Sequence, residues 1–223
     1  MLNSKIGAAL AALLLTGAAG AGTTNGIANG GFEAPAGAGQ IAAGWLTAPT
    51  ASPATLSNDA HSGSFALLLS APGGFSDSVG FQNSFHHGGL PALGAANVGD
   101  TPLLSFWAKG DASTTGNAFV KMNYLGDSGI LGAALNTTFH SLLSTSNWTQ
   151  FNFTAAAIPV GTTSIQIEIG TSVGPILDGR PNAVLVDDLQ LTLTTAPVPE
   201  PQSYVLLAAG LAVVGAIARR RRG

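Results

Sequence analysis

The residues best suited to chemistry in this 223-residue chain are its carboxylates, above all Glu33 and the adjacent pair Asp187-Asp188. Side chains alternate between faces in a strand, so Leu185, Asp187, Leu189 and Leu191 are expected on one face. Asp187 then points the same way as three leucines, where an unpartnered carboxylate is expensive. A bound cation is one way to hold it, and calcium takes carboxylate and backbone oxygens together. A strand end near solvent, or backbone N–H donors, are the other ways. Glycoside hydrolysis would need two carboxylates facing each other across a cleft, but the remaining acids lie mostly in Gly/Asp turns and nothing marks a pair.

Four histidines are present: His61, His86, His87 and His140. His86 and His87 are adjacent and would face opposite ways in a strand, which makes a shared metal difficult. No H-E-x-x-H string occurs, and His61 reads as a loop residue near the acidic group rather than a general base. The absence of cysteine excludes a disulfide scaffold, a thiol nucleophile and a thiolate metal site. A sugar site needs an aromatic platform with a few polar groups beside it. Phe81, Phe85 and Tyr124, with Gln82, Asn83 and Gln166, are the residues that could line such a cleft.

The elements that must position these groups are strands. Short alternating runs occur at 64–70, 103–109, 118–124, 148–153, 164–169 and 184–191. Clusters such as Ala71-Pro72-Gly73-Gly74, Gly126-Asp127-Ser128-Gly129 and Asp178-Gly179-Arg180-Pro181 separate them and supply turn conformations. No helical period longer than ten residues appears between 22 and 196. Many short strands without intervening helices predict an all-β fold, a jelly-roll β-sandwich spanning 22–196. The first and last strands of such a sandwich are commonly neighbours, which would bring Glu33 near Asp187.

Six strings occur in order along this region: Asn29-Gly30-Gly31-Phe32-Glu33, Gly44-Trp45, the run from Ala60 to Leu67, the run from Leu104 to Lys109, Trp148-Thr149-Gln150-Phe151, and the run from Leu185 to Leu191. Together they resemble the galactose-binding-domain-like jelly rolls, in particular the carbohydrate-binding modules attached to xylanases and glucanases. The resemblance covers residues 29–193. The glycine-rich segment Phe81 to Asp100 and the loop Gly174 to Pro181 depart from it. It implies a structural calcium with side-chain ligands Glu33, Asp59 and Asp187 and backbone oxygens from Gly31 and Ser62, with Asp188 as the substitute for Asp187. It also implies that Trp107 and Trp148 are core anchors and that Trp45 is a structural plug.

Both ends read as targeting segments. Lys5 precedes an apolar run from Ile6 to Ala19, and Ala19-Gly20-Ala21 fits small-x-small cleavage, so residues 1–21 are expected to be a signal peptide cut after Ala21. At the other end, Pro199-Glu200-Pro201 precedes an apolar stretch from Tyr204 to Ala218 and then Arg219, Arg220, Arg221 and Arg222. The stretch is short against the roughly 20 residues of a comfortable span, and the arginines hold its end in the cytoplasm. This arrangement over 197–223 resembles the PEP-CTERM sorting signal of Gram-negative bacteria. The resemblance implies a single transmembrane helix, an exosortase as processing partner, residence in the inner membrane before processing, and delivery to the cell envelope, cell surface or extracellular matrix.

The formal net charge of −3 combines 8 Lys+Arg with 11 Asp+Glu. Removal of the leader and of the tail after Pro201 leaves Lys109, Lys121 and Arg180 against all 11 acids, a net −8. Such a product is no nucleic-acid binder and suits divalent cations better than acidic polymers. The expected function is that of an exported, non-catalytic envelope or biofilm-matrix protein with a possible exopolysaccharide partner. A glycan-active hydrolase or lyase on the same fold, and a purely structural surface protein, are the alternatives.

Overall fold

A computed structural model describes residues 23–49, 52–83, 93–111, 114–180, 182–194 and 210–211. The leader with Ala19 and Ala21, the sorting residues Pro199 to Pro201 and Arg219 to Arg222, and Phe85, His86 and His87 lie outside them, as does the side chain of Asn83. Residues 22–195 form one compact unit. Among the described residues no helix is long and apolar enough to cross a membrane.

The unit is built from eleven strands: β1 Thr23–Asn25, β2 Leu46–Thr47, β3 Thr55–Ser57, β4 Ala66–Ser70, β5 Ser76–Asn83, β6 Leu103–Asp111, β7 Gly116–Gly126, β8 Gly129–Thr138, β9 Thr149–Thr154, β10 Ser164–Val173 and β11 Ala183–Thr194. One sheet has the order β3-β4-β11-β6-β9, with β1 also paired to β11, and the other has the order β2-β5-β10-β7-β8. Every pairing is antiparallel. This is the all-β sandwich expected from the alternating runs. Strands β5 and β8 were not among those runs: glycine and serine dilute the pattern of β5, and β8 is mostly exposed.

Alternation puts one side of each sheet into a shared core. Leu67 and Leu69 of β4, Leu104 and Phe106 of β6, and Val184 and Val186 of β11 come from the first sheet. Val120 and Met122 of β7 and Ile165, Ile167 and Ile169 of β10 come from the second. Phe106, Phe139 and Phe151 pack with ring centroids 5.0–5.4 Å apart. Burying a side chain of this size contributes roughly 1.5–3 kcal/mol. Trp45 is fully buried, as expected, and its indole N–H donates to the carbonyls of Ala28 and Asn29.

Strand β11 departs from the simple alternation. Its pairing with β6 slips between Asp187 and Gln190: Asp187 faces Trp107, but Gln190 faces Ser105, so β11 carries one extra residue. Asp188 takes the left-handed conformation there, with φ of 50°, which Asp tolerates better than most residues. The slip changes which residues point inward. Val184 and Val186 are buried before it, and Asp187, Leu189 and Leu191 after it. The expected common face of Leu185 with Asp187 is therefore wrong, because the bulge intervenes and Leu185 stays on the outer side, half-buried.

The bulge is also where the chain's early loop docks. Leu189 N–H donates to the Gly30 carbonyl at 3.0 Å. A Cβ at Gly30 would stand 2.0 Å from the Leu189 carbonyl oxygen, so only glycine fits. Gly30→Ala is expected to displace this loop and lower the melting temperature by an amount matching at least about 2 kcal/mol, measured by thermal unfolding. Asp187→Ala is expected to cost about 3 kcal/mol or more, because the Asp187 carboxylate accepts three backbone N–H bonds described below. Chemical denaturation of that variant checks it.

Candidate functional site

Two regions gather the chemically capable residues: an acidic corner around the β11 bulge, and a groove on the outer face of the second sheet.

At the corner, Asp187 is fully buried. Its Oδ2 accepts the backbone N–H of His61 at 2.8 Å and of Ser62 at 3.0 Å, and its Oδ1 accepts that of Asp188 at 2.7 Å. Burial raises the Asp187 carboxyl above the ordinary carboxylate range, opposed by these N–H donors. Asp188 holds the same loop from outside, with Oδ2 2.6 Å from His61 Nδ1 and Oδ1 accepting the Ser62 hydroxyl at 2.7 Å. Glu33 Oε1 accepts the N–H groups of Ser64 and Phe65, both at 2.8 Å. Gly31 lies among all three acids: a Cβ built there would sit 3.6 Å from Asp188 Oδ1, 3.9 Å from Asp187 Oδ1 and 4.0 Å from Glu33 Cγ.

Of the expected ligand set, the fold therefore brings together Glu33, Asp187, Gly31 and Ser62, with Asp188 beside them. Asp59 is not part of this group. Its carboxylate is bound by Lys109 Nζ at 2.6 and 2.7 Å. Among the described residues no three His, Asp or Glu side chains stand as a set that could hold a metal. Both oxygens of Asp187 and of Asp188, and Oε1 of Glu33, already have hydrogen-bond partners.

His61 is a loop residue beside the acids, as expected. Its ring stacks on Trp107 at 4.0 Å between centroids and meets the edge of Trp148 at 5.7 Å. Lys109 Nζ lies 5.1 Å from the Trp148 centroid. Trp107 and Trp148 are half-buried on the outer side of the first sheet, not in the core. Trp107 follows the inward Phe106 on β6, so alternation turns it outward.

The groove has a volume of about 320 Å3 and is lined by Ala48, Asp77, Val79, Phe81, Phe119, Lys121, Gln166 and Glu168. It crosses β5, β10 and β7. Phe81 and Lys121 are the cross-strand neighbours of Glu168 on either side. Val79 and Phe119 flank Gly170 in the same way. Gly170 shapes the floor: a Cβ there would meet Phe119 Cζ at 2.6 Å and Val79 Cγ2 at 2.9 Å. With no side chain at this point the two neighbours close over the backbone.

Of the residues expected in a sugar cleft, Phe81 and Gln166 line this groove. Gln82 does not. It is fully buried and braces the early loop, accepting the Ala28 N–H and donating to the carbonyls of Ala28 and Gly44. Tyr124 does not either. It points into the core, its hydroxyl donates to the Ala156 carbonyl, and burial raises its pKa to about 12. Both have the inward parity of their strands. The same parity turns Phe119 and Lys121 outward from β7 and Glu168 outward from β10, and reading it through would have identified them.

Residues 197–222 match the PEP-CTERM protein-sorting motif. No curated protein matches the chain in sequence. Among solved structures, it is similar to the enzymatically active domain of a bacteriophage CBA120 tailspike protein, at 15% identity and a TM-score of 0.55, over 76% of this chain and 21% of that one. It is similar to a Stig cyclase from Fischerella sp. TAU at 17% identity and a TM-score of 0.51, over 78% of this chain and 100% of that one. The module TmCBM61, solved with β-1,4-galactotriose, matches at 16% identity and a TM-score of 0.49, over 75% of this chain and 97% of that one. The chain thus carries a PEP-CTERM sorting motif, the mark of exosortase-directed export, behind a jelly-roll β-sandwich whose fold it shares with these solved structures.

Proposed function

We propose that the domain is a non-catalytic glycan-binding module of the cell envelope or extracellular matrix, delivered there by an exosortase. The observation that carries this reading is the groove, which sets Phe81 beside Gln166, Glu168 and Lys121 on a rigid sheet face. Sugar rings stack their C–H faces on aromatic rings, and a few polar groups fix their orientation. The groove's two acids speak against hydrolysis. Asp77 lies opposite Ser172 and Phe81 opposite Glu168, an offset of four residues along the strands. That offset is roughly 13 Å between Cα positions at strand rise, so the acids do not face each other directly as a glycosidase pair does.

Export begins in this reading with a signal peptide removed after Ala21, in a Gram-negative cell, and ends with processing near Pro199-Glu200-Pro201. Strand β1 pairs with the end of β11, Thr23 facing Thr194. Both targeting segments therefore attach at one antiparallel pair, remote in sequence from every groove residue.

A calcium ion belongs to the same proposal, at the Gly31 corner, with Glu33 and Asp187 as its acidic ligands and Gly31 and Ser62 as sources of backbone oxygen. Asp59 drops out of that set because Lys109 holds it. Support comes from the three acids gathered about Gly31. An acid whose pKa is raised on folding favours the folded state at low pH, and that contribution is lost as pH rises through the raised value. Ionised Asp187 is thus less favourable to the fold than its protonated form, a cost that a cation would offset.

Phe81→Ala is expected to weaken binding to the producer's own exopolysaccharide by at least about tenfold, the scale of losing a stacked ring, with the melting temperature nearly unchanged. Affinity electrophoresis of the full-length protein measures it, and equal retention of both proteins would reject the groove as the site. For the metal, melting curves with calcium and with chelator should differ by several degrees. Superimposable curves would remove calcium from the proposal.

A further inference from the structure

Among the described residues the groove's charged groups form no ion pair, and their arrangement bears on which glycan fits. Glu168 stands directly opposite Lys121 in the β10–β7 pair, a position where opposite charges ordinarily attract. No ion pair joins them; the ion pairs among the described residues are His61–Asp188, Lys109–Asp59 and Arg180–Asp111. Lys121 Nζ lies instead 4.9 Å from the Phe119 ring centroid. The bare backbone of Gly170 makes this possible, since a side chain there would displace the Phe119 ring. The lysine is thereby parked on an aromatic face, and the Glu168 carboxylate is left without a partner among the described residues. The Asp77 carboxylate at the same groove is likewise without one.

The two aromatic rings are consequently unequal. Phe119 is capped by a cation, whereas Phe81 has no ring or cation partner among the described residues and is free to stack a sugar. Glu168 is the cross-strand neighbour of Phe81, within about 5 Å at Cβ. A pyranose lying on Phe81 therefore presents its edge substituents to a half-buried, unpaired carboxylate. With Asp77 also facing the groove, two acids stand against one lysine, and that lysine is already engaged.

From this we infer that the groove selects glycans bearing free amino groups, with Glu168 accepting the ammonium of a hexosamine stacked on Phe81. Such an ammonium gives Glu168 the charge-assisted partner that Lys121 withholds. A uronic acid would place a carboxylate beside Glu168 and Asp77 and be disfavoured. The inference rests on the groove being the glycan site and adds the charge of the glycan to that reading.

The test is calorimetric titration of the full-length protein, below neutral pH, with three probes: β-1,4-linked glucosamine oligomers, their N-acetylated counterparts, and galacturonate oligomers. The expected result is glucosamine binding about tenfold tighter than the acetylated form, the scale of one charge-assisted bond, and negligible galacturonate binding. Glu168→Gln should bring the first two probes to similar affinity. Asp127→Asn, which removes an acid from the β7–β8 turn outside the groove, should leave the preference intact. Equal wild-type affinity for both hexosamine forms, lost in Phe81→Ala, would overturn the amine selectivity while leaving the groove as a glycan site. A preference that survives Glu168→Gln, or falls equally in Asp127→Asn, would trace it to bulk charge and also overturn it. Binding unaffected by Phe81→Ala would overturn the groove reading itself.

Discussion

One buried carboxylate ties the first sheet together. Asp187 has no contact with solvent, yet it remains satisfied because three backbone N–H groups converge on it. Two of those donors, at His61 and Ser62, lie some 125 residues earlier in the chain. A charged acceptor makes each such bond stronger than a neutral one. The loop before β4 is thereby fixed to the last strand without a disulfide, which this cysteine-free chain cannot form. The bulge that turns Asp187 inward also lets Gly30 dock against Leu189, so one extra residue in β11 positions two distant loops.

The outer surfaces of the two sheets use aromatic rings differently. On the first sheet, His61 covers Trp107 and Lys109 lies over Trp148, so these rings are spent on holding the loop at 59–62. Arginine- and lysine-capped rings are a common way to shield aromatic surface. On the second sheet, Lys121 caps Phe119, but Phe81 stays open across β10. On the first sheet both Trp107 and Trp148 are covered, whereas on the second Phe119 is covered and Phe81 is left open to the groove.

The strand pattern made the architecture legible. The apolar alternation of β6, β7, β10 and β11 is strong because each of these strands has strand neighbours on both edges and one face in the core. Strands β5 and β8 were harder to read. In β5 the inward positions are Ser78, Gly80 and Gln82, of which Gly80 yields space to Leu67 and Gln82 serves a polar brace. The site was legible only in part, for the same reason. Composition singled out Tyr124 and Gln82 as suitable for sugars, whereas parity along their strands assigns them to the core side. The bulge in β11 has no periodic signal at all. It kept Asp187 inward with Leu189 and Leu191, as expected, but put Leu185 on the opposite face.

Charge connects the fold to export. Four of the chain's eight basic residues are the terminal arginines, and a fifth is Lys5. The three that stay with the folded domain are all committed: Lys109 to Asp59 and the Trp148 ring, Arg180 to Asp111, and Lys121 to the Phe119 ring. Loss of both targeting segments, as proposed, would leave those three basic residues against 11 acids and turn a nearly balanced precursor into a strongly acidic domain. Long-range attraction then favours cationic partners and weakens the approach of acidic polymers. An acidic surface is no specificity by itself, because salt screens it beyond roughly 8–10 Å. Specificity requires a charge held close to the ligand in a partly desolvated place. Glu168 is such a charge, since it is half-buried in the groove and next to Phe81, a ring with no ring or cation partner among the described residues.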